Sequence, residues 1–180
     1  MSSIVTKGGD QGQTSLLYGG RVFKDDLHTE AYGALDEAIS AMGLARSMCH
    51  HEEVAATLLG LQRECFTLGA ELATSAGDRA KLEKHFAVLE ASAVERLEAE
   101  VHRLEELIGL PSGFVLPGGS AAAAAIDMAR TMVRRAERRA VALARQDQMS
   151  NPEVLRYLNR LSDLLFMLAR QEEDGSTTLK

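Results

Sequence analysis

Apolar residues recur at steps of three and four through most of this chain. From about Leu27 to Met48, Ala31, Ala34, Ala38, Ala41 and Ala45 form a small-residue seam with Leu35, Ile39 and Met42 beside it. That period predicts an amphipathic helix that another helix can approach closely. Asp25 and Asp26 stand just before it, where carboxylates cap free N–H groups and meet the positive end of the helix dipole. A second helix is predicted from about Glu52 to Thr74 on the seam Val54, Leu58, Leu61, Cys65, Leu68, Leu72. A third, from about Ala87 to Ile108, carries Val94, Leu97, Val101, Leu104 and Ile108, with charged residues on its other faces that are expected in water. A fourth, from about Ala121 to Gln146, has the seam Ile126, Ala129, Val133, Ala136, Ala140, Leu143. A fifth, from about Pro152 to Arg170, has Val154, Leu158, Leu161, Leu165 and Leu168.

Between these lie breaks. SAGDRAK, 75–81, reads as a loop. In GLPSGFVLPGGS, Pro111 and Pro117 stop helix and Ser120 suits an N-cap, with FVL the one short hint of a strand. Sustained steps of three and four predict an all-α fold, a five-helix bundle with the left-handed packing of four-helix bundles, crossing at about +20°. The expectation is a single domain over 1–180, opened by a loop over 1–25 and closed by a polar, mobile tail over 171–180.

The totals sharpen this. A chain of 180 residues fits one domain with a sizeable core. Apolar residues make up 46% and aromatics only 4%, a balance of packed helices and not of disorder or a β-sandwich. A net charge of -6 argues against non-specific nucleic-acid binding. The opening MSSIVTKGG has no apolar signal core, and no apolar run reaches the roughly 20 residues that span a bilayer. Cys49 and Cys65 fall in helical patterns and are expected as reduced thiols in a cytoplasmic protein with no membrane partner.

Three stretches offer chemistry. RTMVRRAERR, 130–139, holds five arginines. Arg130, Arg134 and Arg138 lie at i, i+4, i+8, about 40° apart per step, along one flank beside the core seam. Like charges so spaced repel by roughly 0.2–0.5 kcal/mol per pair. The flank reads either as a solvated face with cross-helix ion pairs or as a site where arginine forks meet phosphate oxygens. The opening TKGGDQGQTSLLYGG, 6–20, is either a frayed tail or a nest of glycine-freed N–H groups that wraps phosphates. It is not a Walker A loop, since GxxxxGK[ST] does not occur. Asn159 and Asp163, one turn apart near Arg156 and Arg160, read alone as a polar face. No Glu-x-x-His pair, HExxH, CxxC or Gly-x-Ser-x-Gly occurs, which counts against di-iron, zinc and serine-nucleophile chemistry.

Taken together, TKGGDQGQTSL with RVFKDD and EAYGALDE, then FVLPGGSAAAAAIDMARTMVRRAERR, then LRYLNRLSDLLFMLAR closely resemble the PduO-type ATP:cob(I)alamin adenosyltransferases, from about residue 4 to 170. The resemblance implies a five-helix bundle with an N-terminal ATP-binding loop, assembled as a homotrimer with active sites between subunits. It implies that the cobalt of cob(I)alamin, reduced from cob(II)alamin, attacks the 5′ carbon of ATP and releases triphosphate, with Mg²⁺ accompanying the nucleotide. A flavoprotein reductase and an adenosylcobalamin-dependent enzyme are the implied partners.

By the same resemblance, Thr6, Lys7, Gly8, Gly9, Thr14 and Ser15 match the ATP-binding segment, and Lys24 a further ATP-contacting lysine. Arg134, Arg135, Glu137 and Arg138 match the stretch that holds the nucleotide, and Asn159 a nucleotide-contacting asparagine. Asp36 and Arg130 match an acid–base pair that bridges subunits and shapes the corrin site. Phe114 matches an aromatic that packs on the corrin and displaces its lower axial ligand, and Phe166 a second corrin-side aromatic. An apolar wedge there eases reduction by favouring four-coordinate cobalt. Arginine and lysine stabilise the charge developing on triphosphate, and no general base is needed because the nucleophile is the metal.

The sequence departs from the family in places. Its opening reads Thr-Lys-Gly-Gly-Asp where Thr-Arg-Thr-Gly-Asp is usual, so Gly8 lacks a hydroxyl and an ATP contact is expected to be weaker. Ala121 stands where Pro is frequent, and the tail offers no aromatic to cover the corrin. A non-catalytic nucleotide- or corrinoid-binding regulator and a purely structural bundle are the alternatives. Asp36, Phe114, Arg130 and RRAER together favour the enzyme.

Overall fold

The computed structural model describes residues 4–173. Residues 174–180 of the expected tail lie outside the described residues. Six helices are present among them: α1 (Leu27–Arg46), α2 (Glu52–Leu72), α3 (Arg79–His85), α4 (Ala91–Ile108), α5 (Ala121–Ala144) and α6 (Glu153–Gln171). The five long ones are those the hydrophobic period predicts. They pack α2 on α1, α1 on α5, α5 on α6 and α6 on α4. Ion pairs between α2 and α4 close the circuit, Arg96 to Glu64 at 2.8 Å and Arg103 to Glu53 at 2.7 Å.

The seams are the core. Ala31, Ala38 and Ala45 of α1 are fully enclosed, and their small side chains let α1 and α5 approach along Ala129, Val133, Ala136 and Ala140. Leu58, Leu68, Leu158 and Leu165 are equally enclosed, and truncating any of them to alanine is expected to cost about 2–5 kcal/mol. Tyr157 is buried on α6 and its hydroxyl donates to Glu64 at 2.6 Å, which satisfies the one polar atom it brings inside.

Local signals set the helix ends. Asp26 caps α1, its Oδ1 accepting from the His28 N–H at 2.9 Å. Ser120 caps α5 by accepting from the Ala123 N–H at 3.0 Å, and its hydroxyl donates to the Glu172 carbonyl at 2.6 Å. The start of α5 is thereby tied to the end of α6. Gly109 ends α4 at φ 73, a left-handed conformation that suits glycine.

The structure departs from the sequence expectations in several places. The expected mobile tail does not begin at 171: Gln171 belongs to α6, and Glu172 is 2% exposed with its carboxylate accepting from the His50 and His51 N–H groups. SAGDRAK is not a loop throughout: Ala76–Asp78 form a 3₁₀ turn that leads into α3. The third predicted helix starts at Ala91, later than its apolar pattern suggests. FVL forms no extended strand; the strands are β1 (Gln13–Ser15) and β2 (Arg21–Phe23), an antiparallel hairpin inside the opening loop with Gln13 opposite Phe23. None of the described helices is long and apolar enough to cross a membrane.

Glu71, 8% exposed, explains why the segment from 75 to 90 is ordered. Its carboxylate accepts from Arg79 at 2.7 Å, from the Leu89 N–H at 2.6 Å and from Asn151 Nδ2 at 2.8 Å. A single carboxylate thus fastens α3, the entry to α4 and the entry to α6 to the end of α2.

Candidate active site

A cleft of about 620 Å³ opens between α4, α5 and α6. Helix α5 contributes Arg130 and Arg134, one turn apart on the flank that the sequence singles out. Helix α6 contributes Arg160, Ser162, Asp163, Phe166 and Met167; α4 contributes Glu98, Val101, His102 and Glu105. The cleft is therefore apolar on one part of its wall and charged on another, as suits a large ligand with an apolar face and polar edges.

The arginines of RTMVRRAERR divide by environment. Arg130 lines the cleft, half-buried, with Nε donating to Asp127 Oδ1 at 2.8 Å. Its guanidinium lies 5.9 Å from the centre of the Phe166 ring. Arg134 lines the cleft with no ion pair or hydrogen bond from its side chain among the described residues. Arg138 is exposed on the same flank. Arg135 and Arg139 face α1 instead, paired with Glu37 and with Glu30, the latter at 3.2 Å. Arg135 and Arg139 thus form cross-helix ion pairs, while Arg134 on the other flank keeps its fork unpaired among the described residues.

Across from α5, Asn159 Nδ2 donates to Glu137 at 3.3 Å, so these two candidate residues meet. Arg160 donates to Glu98 at 2.8 Å, to the Asn159 side-chain oxygen at 2.9 Å and to Asp163 at 3.3 Å. The Glu98 hydrogen bond, followed by its charge, holds the Arg160 guanidinium above its ordinary pKa. The charged face of α4 is accordingly not all solvated, because Glu98 and Glu105 form part of the cleft wall.

The opening loop is built and not frayed over the described residues. Lys7 adopts φ 58, Gly12 adopts φ 76, and the Gly12 N–H donates to the Gly9 carbonyl at 3.1 Å. The Lys24 amine lies close over Gly9, where an added Cβ would stand 3.0 Å from Nζ. Arg21 donates to the Gly8 carbonyl at 2.8 Å, and the Gly8 N–H donates weakly to Thr6 Oγ1 at 3.4 Å. Thr14 faces Val22 and Ser15 faces Arg21 across the hairpin. Thr6, Lys7, Gly8, Gly9, Thr14, Ser15 and Lys24 are therefore neighbours, with Arg21 as a further cation. The loop is anchored by the Leu17 N–H on the Ala73 carbonyl at 2.9 Å and by the Tyr18 hydroxyl on the Lys81 carbonyl at 3.1 Å.

One chain does not bring every candidate together. The opening loop contributes no residue to the cleft wall. Phe114 stands 84% exposed on the connection between α4 and α5, also off that wall. Asp36 makes no ion pair with Arg130 inside the chain. It is exposed on α1 at the rim of a second, mostly apolar pocket of about 410 Å³ that includes Tyr32, Leu35, Ile39 and Phe66.

Sequence reading passes over Asp127, Arg170 and Arg21. The signal for Asp127 is an acid one step from Ile126 on the buried stripe of α5. Arg170 follows the last seam residues of α6 and is 8% exposed.

The comparisons with known proteins agree in direction. The sequence model of a family described as cobalamin adenosyltransferase matches residues 4–172. A corrinoid adenosyltransferase of Citrobacter freundii is 39% identical over 173 residues, covering 96% of each chain. One of Bacillus subtilis is 42% identical over 173 residues, covering 93% of this chain and 84% of that one. A variant PduO-type ATP:corrinoid adenosyltransferase from Lactobacillus reuteri, solved in complex with cobalamin and ATP, superposes with a TM-score of 0.89 at 33% identity over 99% of each chain.

Proposed function

The chain belongs to the cobalamin adenosyltransferase family, and from that premise we propose that it transfers the 5′-deoxyadenosyl group of ATP to the cobalt of cob(I)alamin. The cobalt electron pair forms the bond to C5′, the C5′–O bond breaks, and its electrons leave with triphosphate. The products are adenosylcobalamin and triphosphate. The observation that carries this reading is the open guanidinium fork of Arg134, which shares a cleft wall with Phe166 in a chain whose family match runs over 4–172.

Each part of the geometry has a task on this reading. The cleft receives the corrin, with Phe166 and Met167 against its apolar face and the polar side chains of α4 and α6 at its amide edge. Phe114, exposed on its loop, is free to pack on the lower face of the corrin and exclude the axial ligand. Arg134 and Arg138, with Lys7 and Lys24 of the opening loop, meet the phosphates. Charge develops on triphosphate as the bond breaks, and fixed cations aimed at it lower the barrier. Arg135 is held by Glu37, so its contribution requires exchange of that partner. Glu137 and Asn159 orient the nucleoside. Mg²⁺ is commonly bound through substrate phosphates, with only one or two protein carboxylates. The ion is expected to enter on ATP.

The loop and the cleft are separate within one chain, which supports a site completed by a second copy. Asp36, exposed on α1, would then meet the terminal nitrogens of Arg130 across a homotrimer interface. Exposed Phe66 at 68% and Leu44 at 51% are apolar surface that such an interface would cover. A flavoprotein reductase would supply the electron for cob(I)alamin, and an adenosylcobalamin-dependent enzyme would take the product.

Phosphorus NMR of the products tests the reaction. Triphosphate should appear in step with adenosylcobalamin and only when cob(I)alamin is present. Formation of ADP and orthophosphate, independent of corrinoid, would contradict the reading.

A further inference from the structure

Asp127 is 2% exposed on the buried stripe of α5, yet two guanidinium groups converge on it. Arg130 donates from Nε to Oδ1 at 2.8 Å, and Arg170 donates from Nη2 to Oδ2 at 2.5 Å. Both carboxylate oxygens are thus engaged by charge-assisted hydrogen bonds. The same two guanidinium groups lie over the ring of Phe166, at 5.9 Å for Arg130 and 4.9 Å for Arg170. The Arg170 side chain is 4% exposed and also pairs with Glu173 at 2.9 Å. Its Nε is buried without a hydrogen-bond partner, so the ring face is a favourable neighbour left to that part of the group. Arg130 and Phe166 line the cleft, whereas Asp127 and Arg170 do not.

We infer that Asp127 and Arg170 are positioning residues that fix Arg130 and Phe166 as one rigid wall of the corrin cleft. The carboxylate takes Arg130 through Nε alone. The terminal nitrogens of Arg130 are therefore left without a partner among the described residues and can accept a second carboxylate. Arg170 holds the Phe166 ring from inside the bundle. A planar macrocycle needs a wall that does not yield, and a ring fixed by two cations that share one buried counter-ion supplies it. Without Asp127, Arg130 is free to swing into the cleft and the ring loses a fixed neighbour.

This inference rests on the adenosyltransferase reading, and the experiment separates the two. Asp127→Asn keeps the shape and removes the charge; Arg170→Lys keeps a charge and removes the fork. Each is compared with wild type for the KM of chemically reduced cob(I)alamin, for ATP affinity by calorimetry and for melting temperature. In both variants the KM for cob(I)alamin should rise, roughly tenfold in Asp127→Asn, while ATP affinity stays as in wild type. A folded variant with an unchanged corrinoid KM, or one that loses ATP affinity and corrinoid affinity equally, overturns the positioning role. Wild type that turns over no corrinoid overturns the adenosyltransferase reading itself. If Asp127→Asn does not fold, Arg170→Lys alone decides.

Discussion

Arg134 and Arg135 are adjacent in sequence and opposite in circumstance. The Arg135 guanidinium is neutralised by Glu37 of α1, while Arg134 opens into the cleft without a protein partner among the described residues. An anion that reaches Arg134 displaces only water, so the gain is not offset by a broken ion pair. Arg134→Ala should therefore weaken ATP binding by about 1.5–3 kcal/mol, roughly tenfold or more by calorimetry, with little change in melting temperature. Equal affinity would remove Arg134 from the phosphate site. Cys65 shows the opposite use of burial. Enclosure, then the nearby Glu64 charge, pushes its thiol from 9.0 up to about 12. In the unfolded chain the thiol ionises first, so the stability it lends is complete below pH 9 and is lost as pH rises toward 12. Wild type should lose melting temperature across that range more steeply than Cys65→Ala, and parallel slopes would contradict the assignment.

At the scale of elements, the long helices were legible because each carries its own seam. A period of 3.6 requires no knowledge of the partner helix. Helix α3 was not legible because its order comes from outside its own sequence. Its one buried apolar residue is Leu82, and its hold is the Arg79–Glu71 pair between elements. Glu71 in turn reaches Asn151, 80 residues away. A buried carboxylate with three donors is costly to remove: the Leu89 N–H loses its partner, Arg79 keeps only Glu83, and Asn151 Nδ2 keeps only the Leu89 carbonyl. Glu71→Ala should cost about 3–5 kcal/mol and raise amide exchange across 75–90 ahead of the remaining chain. Because Ala73 and Lys81 also anchor Leu17 and Tyr18, exchange in the opening loop should rise with it. Uniform loss of protection would show that Glu71 supports the fold at large and not this segment. The site was legible in the same uneven way. The α5 flank could be read from charge spacing, but the fate of each arginine depended on acids of α1 and α5 that only the fold brings near. Asp127 carries no signal of its partners, which come from one turn away and from another helix.

Across the whole molecule, the candidate residues fall into three places: the opening loop, the cleft and the Asp36 rim of α1. A site shared between copies reconciles them, and it makes a complementation test possible. Asp36→Ala and Arg130→Ala each remove one side of the proposed pair and should each be inactive or nearly so. Mixed after joint refolding, they should recover activity, because some interfaces then carry both native residues. No recovery in mixed oligomers would place the two residues outside a shared site.

Adenosyl transfer to reduced cobalt can be followed in an anaerobic assay with chemically reduced cob(I)alamin, ATP and Mg²⁺. The cob(I)alamin spectrum should be lost in an ATP-dependent way as a light-sensitive cobalt–carbon product forms. ATP and cobalamin that bind without any such turnover would contradict adenosyl transfer.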